Sequence, residues 1–402
     1  TVANIEALWV ARAVRYLPLV VRDAAATLGL AAEGVNGDVE TLLGLGAEEQ
    51  LGAMRALWDR ARAALGGDWE RRVAEAMRGS PHHVGEHGMA ALAARLGSEP
   101  VVLAPETHHY CLAKALDVLG LGRRSLVPVP VNSSFRMDSE ALERCLEKVE
   151  LQGRHVLAVV AVVGTTEEGA VDPIDEILAV RDRRWRSRGR SFWLHADGAY
   201  GGYLRTVVVP ERIGLGEPRT RARVRGQERE IDIHLPERGV CGALERLGEC
   251  DSIAIDPHKL GYIPYPAGAV CFRSGLVKRL VRQSAPYLDE PGAEANPDAD
   301  ASPQAGTPVG DEAIGVYILE GSKPGAAAAA VWLSHRLIPL DTTGHGALVR
   351  ETIRSAAELH ALLTEMERWW PELPVRAVAA GTPGSNIVCF AFRPRCDGHS
   401  LT

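Results

Sequence analysis

Val156-Leu157-Ala158-Val159-Val160-Ala161-Val162-Val163 is a run of eight apolar residues with no polar alternation. A strand with one wet face alternates apolar and polar side chains, so this run implies burial on both faces. That is the condition of a parallel sheet covered by helices. Working outward, Val101-Val102-Leu103-Ala104 precedes a helical pattern over 110–119, a strand-like stretch spans 125–131, and a helix over 139–149 takes Asp138 or Ser139 as its cap. On the other side come a helix near 173–187 and the strands Phe192-Trp193-Leu194, Ser252–Ile255 and Ala269–Phe272. Residues 2–28 carry Ile5, Leu8 and Trp9 on one helical stripe, and 47–78 read as a further helical stretch; Trp9 and Trp58 are expected in the core. The pattern predicts an α/β fold with a mainly parallel sheet, in which chemistry gathers beyond the carboxyl ends of the strands.

Composition narrows the function classes. The 402 residues are 46% hydrophobic and 24% charged, which suits a globular chain and not a disordered or collagen-like one. With 45 Lys and Arg against 52 Asp and Glu, the formal charge is −7, so no nucleic-acid partner is expected. No apolar stretch approaches the roughly 20 residues that span a bilayer, so no membrane partner is expected either. Seven cysteines, scattered and without CxxC spacing, point to a reduced, cytoplasmic compartment and to no metal. The basic run Arg181–Arg190 reads as a solvated helix end, and His82, His83 and His87 as loop residues. Residues 289–312, rich in Pro, Gly, Ala and acid and lacking Lys and Arg, read as a surface loop or an active-site lid. The chain starts within a helical pattern at Thr1 and stops at Thr402 soon after the strand-like 387–392, and both ends read as cut.

Four motifs carry chemistry, each following a different strand. Asp256-Pro257-His258-Lys259-Leu260-Gly261-Tyr262 places a lysine in a turn bounded by Pro and Gly. Such a lysine at a sheet edge can form a Schiff base with an aldehyde cofactor. His195-Ala196-Asp197-Gly198-Ala199-Tyr200 puts a carboxylate at a strand end beside small residues. Pyridoxal phosphate needs an acid at its ring nitrogen and a small residue under the ring, which Asp197 and Ala199 supply. Gly164-Thr165-Thr166 brings hydroxyls to the same edge, and His108-His109-Tyr110-Cys111 brings an imidazole able to stack on a flat ligand.

Taken together, these motifs resemble the group II pyridoxal-phosphate-dependent amino-acid decarboxylases, with the bacterial tyrosine decarboxylases as the nearest branch. The resemblance runs through residues 1–9, 109–111, 162–175, 195–203, 256–265 and 317–323. It implies fold type I, with a large cofactor-binding domain over 1–340 and the beginning of a smaller C-terminal α+β domain over 341–402. It implies that pyridoxal 5'-phosphate is held by Lys259 as a Schiff base, with Asp197 at the ring nitrogen, Ala199 beneath the ring and His109 stacked on it. Thr165 and Asp256 lie beside the cofactor, while His258, Thr1 and Ser322 contact its phosphate. Tyr265 and Tyr287 match the family's phenols near the lysine and on the loop over the site. The implied reaction is decarboxylation of an aromatic, tyrosine-like L-amino acid by a homodimer with active sites at the subunit interface. The alternatives are another fold type I enzyme (aminotransferase or carbon–sulfur lyase) and a truncated, non-catalytic scaffold.

Overall fold

The architecture is taken from a computed structural model, which describes residues 1–236, 238–283 and 314–395. Ten strands and thirteen helices are described. The central sheet contains β1 (Pro100–Pro105), β2 (Leu126–Val129), β3 (His155–Val162), β4 (Trp193–Gly198), β7 (Ser252–Ile255) and β8 (Ala269–Phe272). Its spatial order is β2-β1-β3-β4-β7-β8, parallel throughout except for β8, which returns antiparallel along β7. Two separate antiparallel pairs complete the strands: β5 (Arg219–Val224) with β6 (Gln227–Asp232), and β9 (Val375–Ala379) with β10 (Phe390–Pro394).

The N-terminal helices are α1 (Val2–Leu28), α2 (Val39–Gly44), α3 (Ala47–Leu65), α4 (Trp69–Arg78) and α5 (Val84–Leu96). The expected helix over 47–78 is therefore interrupted after Leu65, at Gly66–Asp68. The histidine-rich stretch is not all loop: His83 caps α5 and His87 lies within it. Between strands come α6 (Cys111–Val118), α7 (Ser139–Leu151), α8 (Ile174–Arg188) and α9 (Arg238–Arg246). The carboxylate of Asp138, not Ser139, caps α7 by accepting the Ala141 N–H at 2.8 Å. At the end of α8, Gly189 adopts φ 61°, and Arg184 and Arg188 pair with acids of α7, so the basic run is a helix terminus. The remaining helices are α10 (Lys278–Val281), α11 (Gly325–Leu337), α12 (His345–Thr364) and α13 (Met366–Trp369).

The sheet divides the core in two. Val102, Ala104, Val160 and Trp193 pack against α1, α3 and α6 on one face. Val101, Leu103, Val159, Leu194 and Ala196 pack against α7, α8 and α9 on the other. This two-residue alternation between equally apolar faces is why the strands read as unbroken hydrophobic runs. Trp9 and Trp58 are partly buried against the first cluster, as expected.

Helix α1 is buried along most of its length and carries three polar residues, Asn4, Glu6 and Arg15, into the interior. The Arg15 guanidinium donates to the carbonyls of Leu43 (2.7 Å), Leu45 (3.2 Å) and Leu157 (3.3 Å), tying α1 to α2 and β3. No helix among the described residues is long and apolar enough to cross a membrane.

Candidate active site

Strands β1, β3, β4 and β7 are neighbours and parallel, so their carboxyl ends lie side by side. At the usual strand spacing the four ends span about 14 Å. His109, Thr165, Asp197 and Lys259 follow or finish these four strands. The topology thus gathers onto one edge four motifs that are spread over 150 residues of sequence.

The β4 and β7 ends are fastened to each other. The Asp256 N–H donates to the Ala199 carbonyl at 3.1 Å, so the lysine turn begins where the small-residue turn begins. Within that turn the Lys259 ammonium lies 3.1 Å from Asp256 Oδ2, and His258 Nε2 lies 3.5 Å from the same oxygen. His258 Nδ1 accepts the Ala267 N–H at 3.2 Å, which leaves the proton on Nε2, facing Asp256. Tyr265 is largely exposed and stacks on His258, with ring centroids 3.8 Å apart.

Close packing dictates the small residues here. A Cβ on Gly201 would sit 2.4 Å from the Val163 carbonyl oxygen, and one on Gly261 would sit 2.6 Å from both the Pro257 oxygen and the Tyr203 hydroxyl. Tyr262, next in the chain, takes φ 57°, a left-handed conformation that is rare for a bulky residue.

Asp197 is buried and held from two sides. Oδ2 accepts the Asn4 amide N–H at 2.8 Å, and Oδ1 accepts the Ala199 N–H at 3.2 Å. Asn4 also donates to Cys111 Sγ at 3.2 Å. His109 Nδ1 accepts the Cys111 N–H at 3.2 Å, and its ring lies 4.2 Å from that of Tyr110. Burial holds the His109 imidazole below its usual pKa, with Asp197 opposing and Lys259 reinforcing the shift. Burial and the Asp197 charge both raise the Cys111 thiol. His109 and Cys111 therefore share the electrostatic neighbourhood of Asp197 and Lys259.

Among the described residues, the other expected ones make no side-chain hydrogen bond to this group. Thr165 is buried, but its hydroxyl is committed to its own turn, donating to Glu168 (3.0 Å) and accepting from Ala170 (2.9 Å). Thr1 is exposed at the head of α1, one turn before Asn4, and makes no side-chain capping bond. Ser322 is exposed in the segment after Leu319, whose N–H donates to the buried Glu6 carboxylate at 3.0 Å. Tyr287 and the acidic stretch 289–312 lie outside the described residues. Reading the sequence missed Asn4, Glu6 and Thr107; the last has a buried hydroxyl oxygen without a partner, two residues before His109. Position offered a signal for Asn4, one helical turn into the segment headed by Thr1.

A cavity of about 310 Å³ among Arg55, Trp193, Asp251 and Arg273 opens at the opposite ends of β4 and β7 and shares none of these residues.

Residues 76–213 match the model of the pyridoxal-dependent decarboxylase conserved domain. An L-tyrosine decarboxylase of Enterococcus faecium is 33% identical over 395 residues, which cover 98% of this chain and 58% of that protein. The chain carries the pyridoxal-dependent decarboxylase conserved domain over residues 76–213 and is similar to L-tyrosine decarboxylases along nearly its whole length. A second L-tyrosine decarboxylase, from Enterococcus faecalis, is 30% identical over 402 residues, covering 98% of this chain and 57% of the relative. The chain thus spans somewhat over half the length of these curated relatives. Among solved structures, Catharanthus roseus tryptophan decarboxylase is 17% identical with a TM-score of 0.51, over 79% of this chain and 54% of that one. That likeness is one of fold, and the architecture is the fold type I of such decarboxylases.

The residues at the sheet edge fit pyridoxal 5'-phosphate. They comprise a partly exposed primary amine, a buried carboxylate with one donor on each oxygen, a flat imidazole, a small residue (Ala199) at the end of the aspartate strand and an unsatisfied hydroxyl at Thr107.

Proposed function

We propose that this chain is the cofactor-binding core of an enzyme that decarboxylates an aromatic, tyrosine-like L-amino acid to its amine and carbon dioxide. The observation that carries the reading is the join between Asp256 and Ala199, which sets Lys259 and Asp197 at adjacent strand ends. His109 lies within electrostatic reach of both. When bound, pyridoxal 5'-phosphate supplies an electron sink for the pair released as the Cα–carboxyl bond breaks.

The protein's part is binding, orientation and proton management. Lys259 offers a primary amine that Asp256 holds in place. Asp197 would keep a proton at the ring nitrogen, while Ala199 and His109 would bracket the ring. His258, Thr1 and Ser322 hold the phosphate, and the head of α1 adds its positive dipole end. Asp256 and the Thr165 turn shape the wall. Tyr265, stacked on His258, returns a proton to the substrate carbon.

Residues 1–340 would then form the large domain and 341–402 the start of a smaller one; the separate β9–β10 sheet supports this division. A homodimer is the proposed assembly. Its support is α11, which buries none of its residues and exposes Trp332, Leu333 and Leu337. The six described cysteines are free thiols, in keeping with a reducing cytoplasm.

The test uses the full-length protein. Incubation with pyridoxal 5'-phosphate should give a band near the visible edge, and borohydride reduction should mark the peptide containing Lys259. Lys259→Ala should abolish both signals. A panel of single amino acids assayed for carbon dioxide should favour tyrosine-like substrates. Transamination without carbon dioxide release would overturn the proposal.

A further inference from the structure

Along β4, Trp193, His195 and Asp197 alternate with Leu194 and Ala196, so strand periodicity puts all three on the face covered by α1. In the parallel ladder, Ser252 of β7 is the register partner of His195. Asn4 reaches the same face from the first turns of α1. These side chains form one continuous series: Trp193 Nε1 lies 2.9 Å from Ser252 Oγ, which lies 2.9 Å from His195 Nδ1. His195 Nε2 lies 2.9 Å from Asn4 Oδ1, and Asn4 Nδ2 lies 2.8 Å from Asp197 Oδ2.

The two ends of the series fix every proton between them. An ionised carboxylate only accepts, so Asn4 must donate to Asp197 and turn its carbonyl oxygen toward His195. A reversed amide would set its oxygen against the carboxylate. Asn4 Oδ1 therefore accepts from His195 Nε2–H. His195 is completely buried, and burial drives its pKa down to about 4, although the charge of Asp197 and a hydrogen bond with the Ser252 backbone oppose this. The ring is neutral, so Nδ1 is a lone pair that accepts the Ser252 hydroxyl proton. Ser252 Oγ in turn accepts from Trp193, whose indole N–H only donates. An obligate donor at one end and an obligate acceptor at the other leave a single arrangement.

We infer that Trp193, Ser252, His195 and Asn4 are positioning residues for Asp197, a relay of fixed hydrogen bonds that holds its carboxylate in one orientation. The inference rests on the proposed meeting of Asp197 with the cofactor's ring nitrogen. A buried carboxylate that must point one way needs donors with no freedom to turn away, and this series supplies one whose orientation is settled by side chains of α1, β4 and β7.

The experiment reads the relay with and without cofactor. In histidine-labelled full-length protein, long-range nitrogen–proton spectra should show His195 with a protonated Nε2 and a bare Nδ1. Ser252→Ala, which removes the donor to Nδ1, should yield a mixture of tautomers and bind pyridoxal 5'-phosphate more weakly. Ser252→Thr should restore the single tautomer and the affinity. Asn4→Leu, which removes the bond to the carboxylate itself, should weaken cofactor binding about 10- to 100-fold. Urea unfolding curves identify any variant that fails to fold, and the Ala and Thr pair at 252 carries the test if Asn4→Leu does. A wild-type His195 protonated at Nδ1, or a Ser252→Ala protein with unchanged tautomer and affinity, would overturn the relay. Wild-type protein that takes up no pyridoxal 5'-phosphate would instead overturn the functional reading on which it rests.

Discussion

Acidification should expose how much stability depends on His155 remaining neutral. This residue opens β3, nearly buried, with Nε2 2.9 Å from the Tyr16 hydroxyl and Nδ1 2.9 Å from Ser98 Oγ. The Ser98 proton is committed to the Gly153 carbonyl at 2.7 Å, so Nδ1–H donates to Ser98 and Nε2 accepts from Tyr16. Burial, helped by the charges of Arg15 and Arg154, lowers the folded-state pKa to about 3. In the unfolded chain the value is about 6.5. Between the two the unfolded state binds the extra proton, so this stabilisation is complete above pH 6.5 and is lost as the pH falls toward 3. At pH 4.5 the unfolded side has gained two pH units of proton affinity at about 1.36 kcal/mol each, a loss of roughly 3 kcal/mol. That is a large share of a typical 5–15 kcal/mol stability. Urea unfolding at pH 7.5 and 4.5, followed by tryptophan fluorescence, should show wild type losing about 3 kcal/mol more than His155→Gln. The comparison cancels groups distant from His155, among them Asp172, whose raised pKa of about 6 acts with the opposite sign. Equal losses in the two proteins, or a His155 ring that titrates near 6.5, would refute the reasoning.

Two further substitutions test the packing around the sheet edge. Gly261→Ala places a methyl 2.6 Å from the Pro257 oxygen and from the Tyr203 ring, so it should cost about 1–3 kcal/mol in urea unfolding and reduce borohydride labelling of Lys259. Tyr203→Leu should not rescue it, because the backbone contact remains. Asp172 is fully buried and accepts the N–H groups of Met137 (2.6 Å) and Val162 (2.7 Å). Asp172→Ala orphans both donors and should lower the unfolding free energy by about 2–5 kcal/mol, read as a shifted urea midpoint.

The legible parts of this fold are those where one physical demand dominates. Val156–Val163 had to be doubly buried, and Lys259 and Asp197 stand out because polar residues directly after such runs must sit at a strand edge. The β5–β6 hairpin escaped notice because the inner face of Arg219-Thr220-Arg221-Ala222-Arg223-Val224 carries only small side chains between exposed arginines and so offers little hydrophobic contrast. Helix α5 was hidden by Gly85 and Gly88, the latter at φ 74° inside the helix. The direction of β8 depends on how the chain returns after the lysine turn, which periodicity does not encode. Thr165 shows the limit for sites: its position at the β3 edge was legible, but the capture of its hydroxyl by Glu168 and Ala170 depends on the three-dimensional turn. Asn4 and Ser252 are chemically ordinary in sequence, and acquire meaning only when α1 and β7 bring them to one face of β4.

The two central side chains differ in the way their proposed tasks require. In its proposed role Lys259 would release the cofactor to the substrate amine and later recover it, so it needs room to move and a partner it can leave. Its side chain is 34% exposed, and it pairs with Asp256, three residues away in the same turn. Asp197 must do the same thing throughout, holding one charge at one place. It is 4% exposed, with a donor on each oxygen. The join from Asp256 to Ala199 then lets the mobile group and the fixed group share a frame, since the backbone that starts the lysine turn is bonded to the backbone that ends the aspartate strand. Loosening Asp197 would sacrifice the electronic role, and burying Lys259 would sacrifice the exchange. A site that depends on both has reason to place one at the end of a strand and the other in the turn that follows the neighbouring strand, with burial falling from the first to the second.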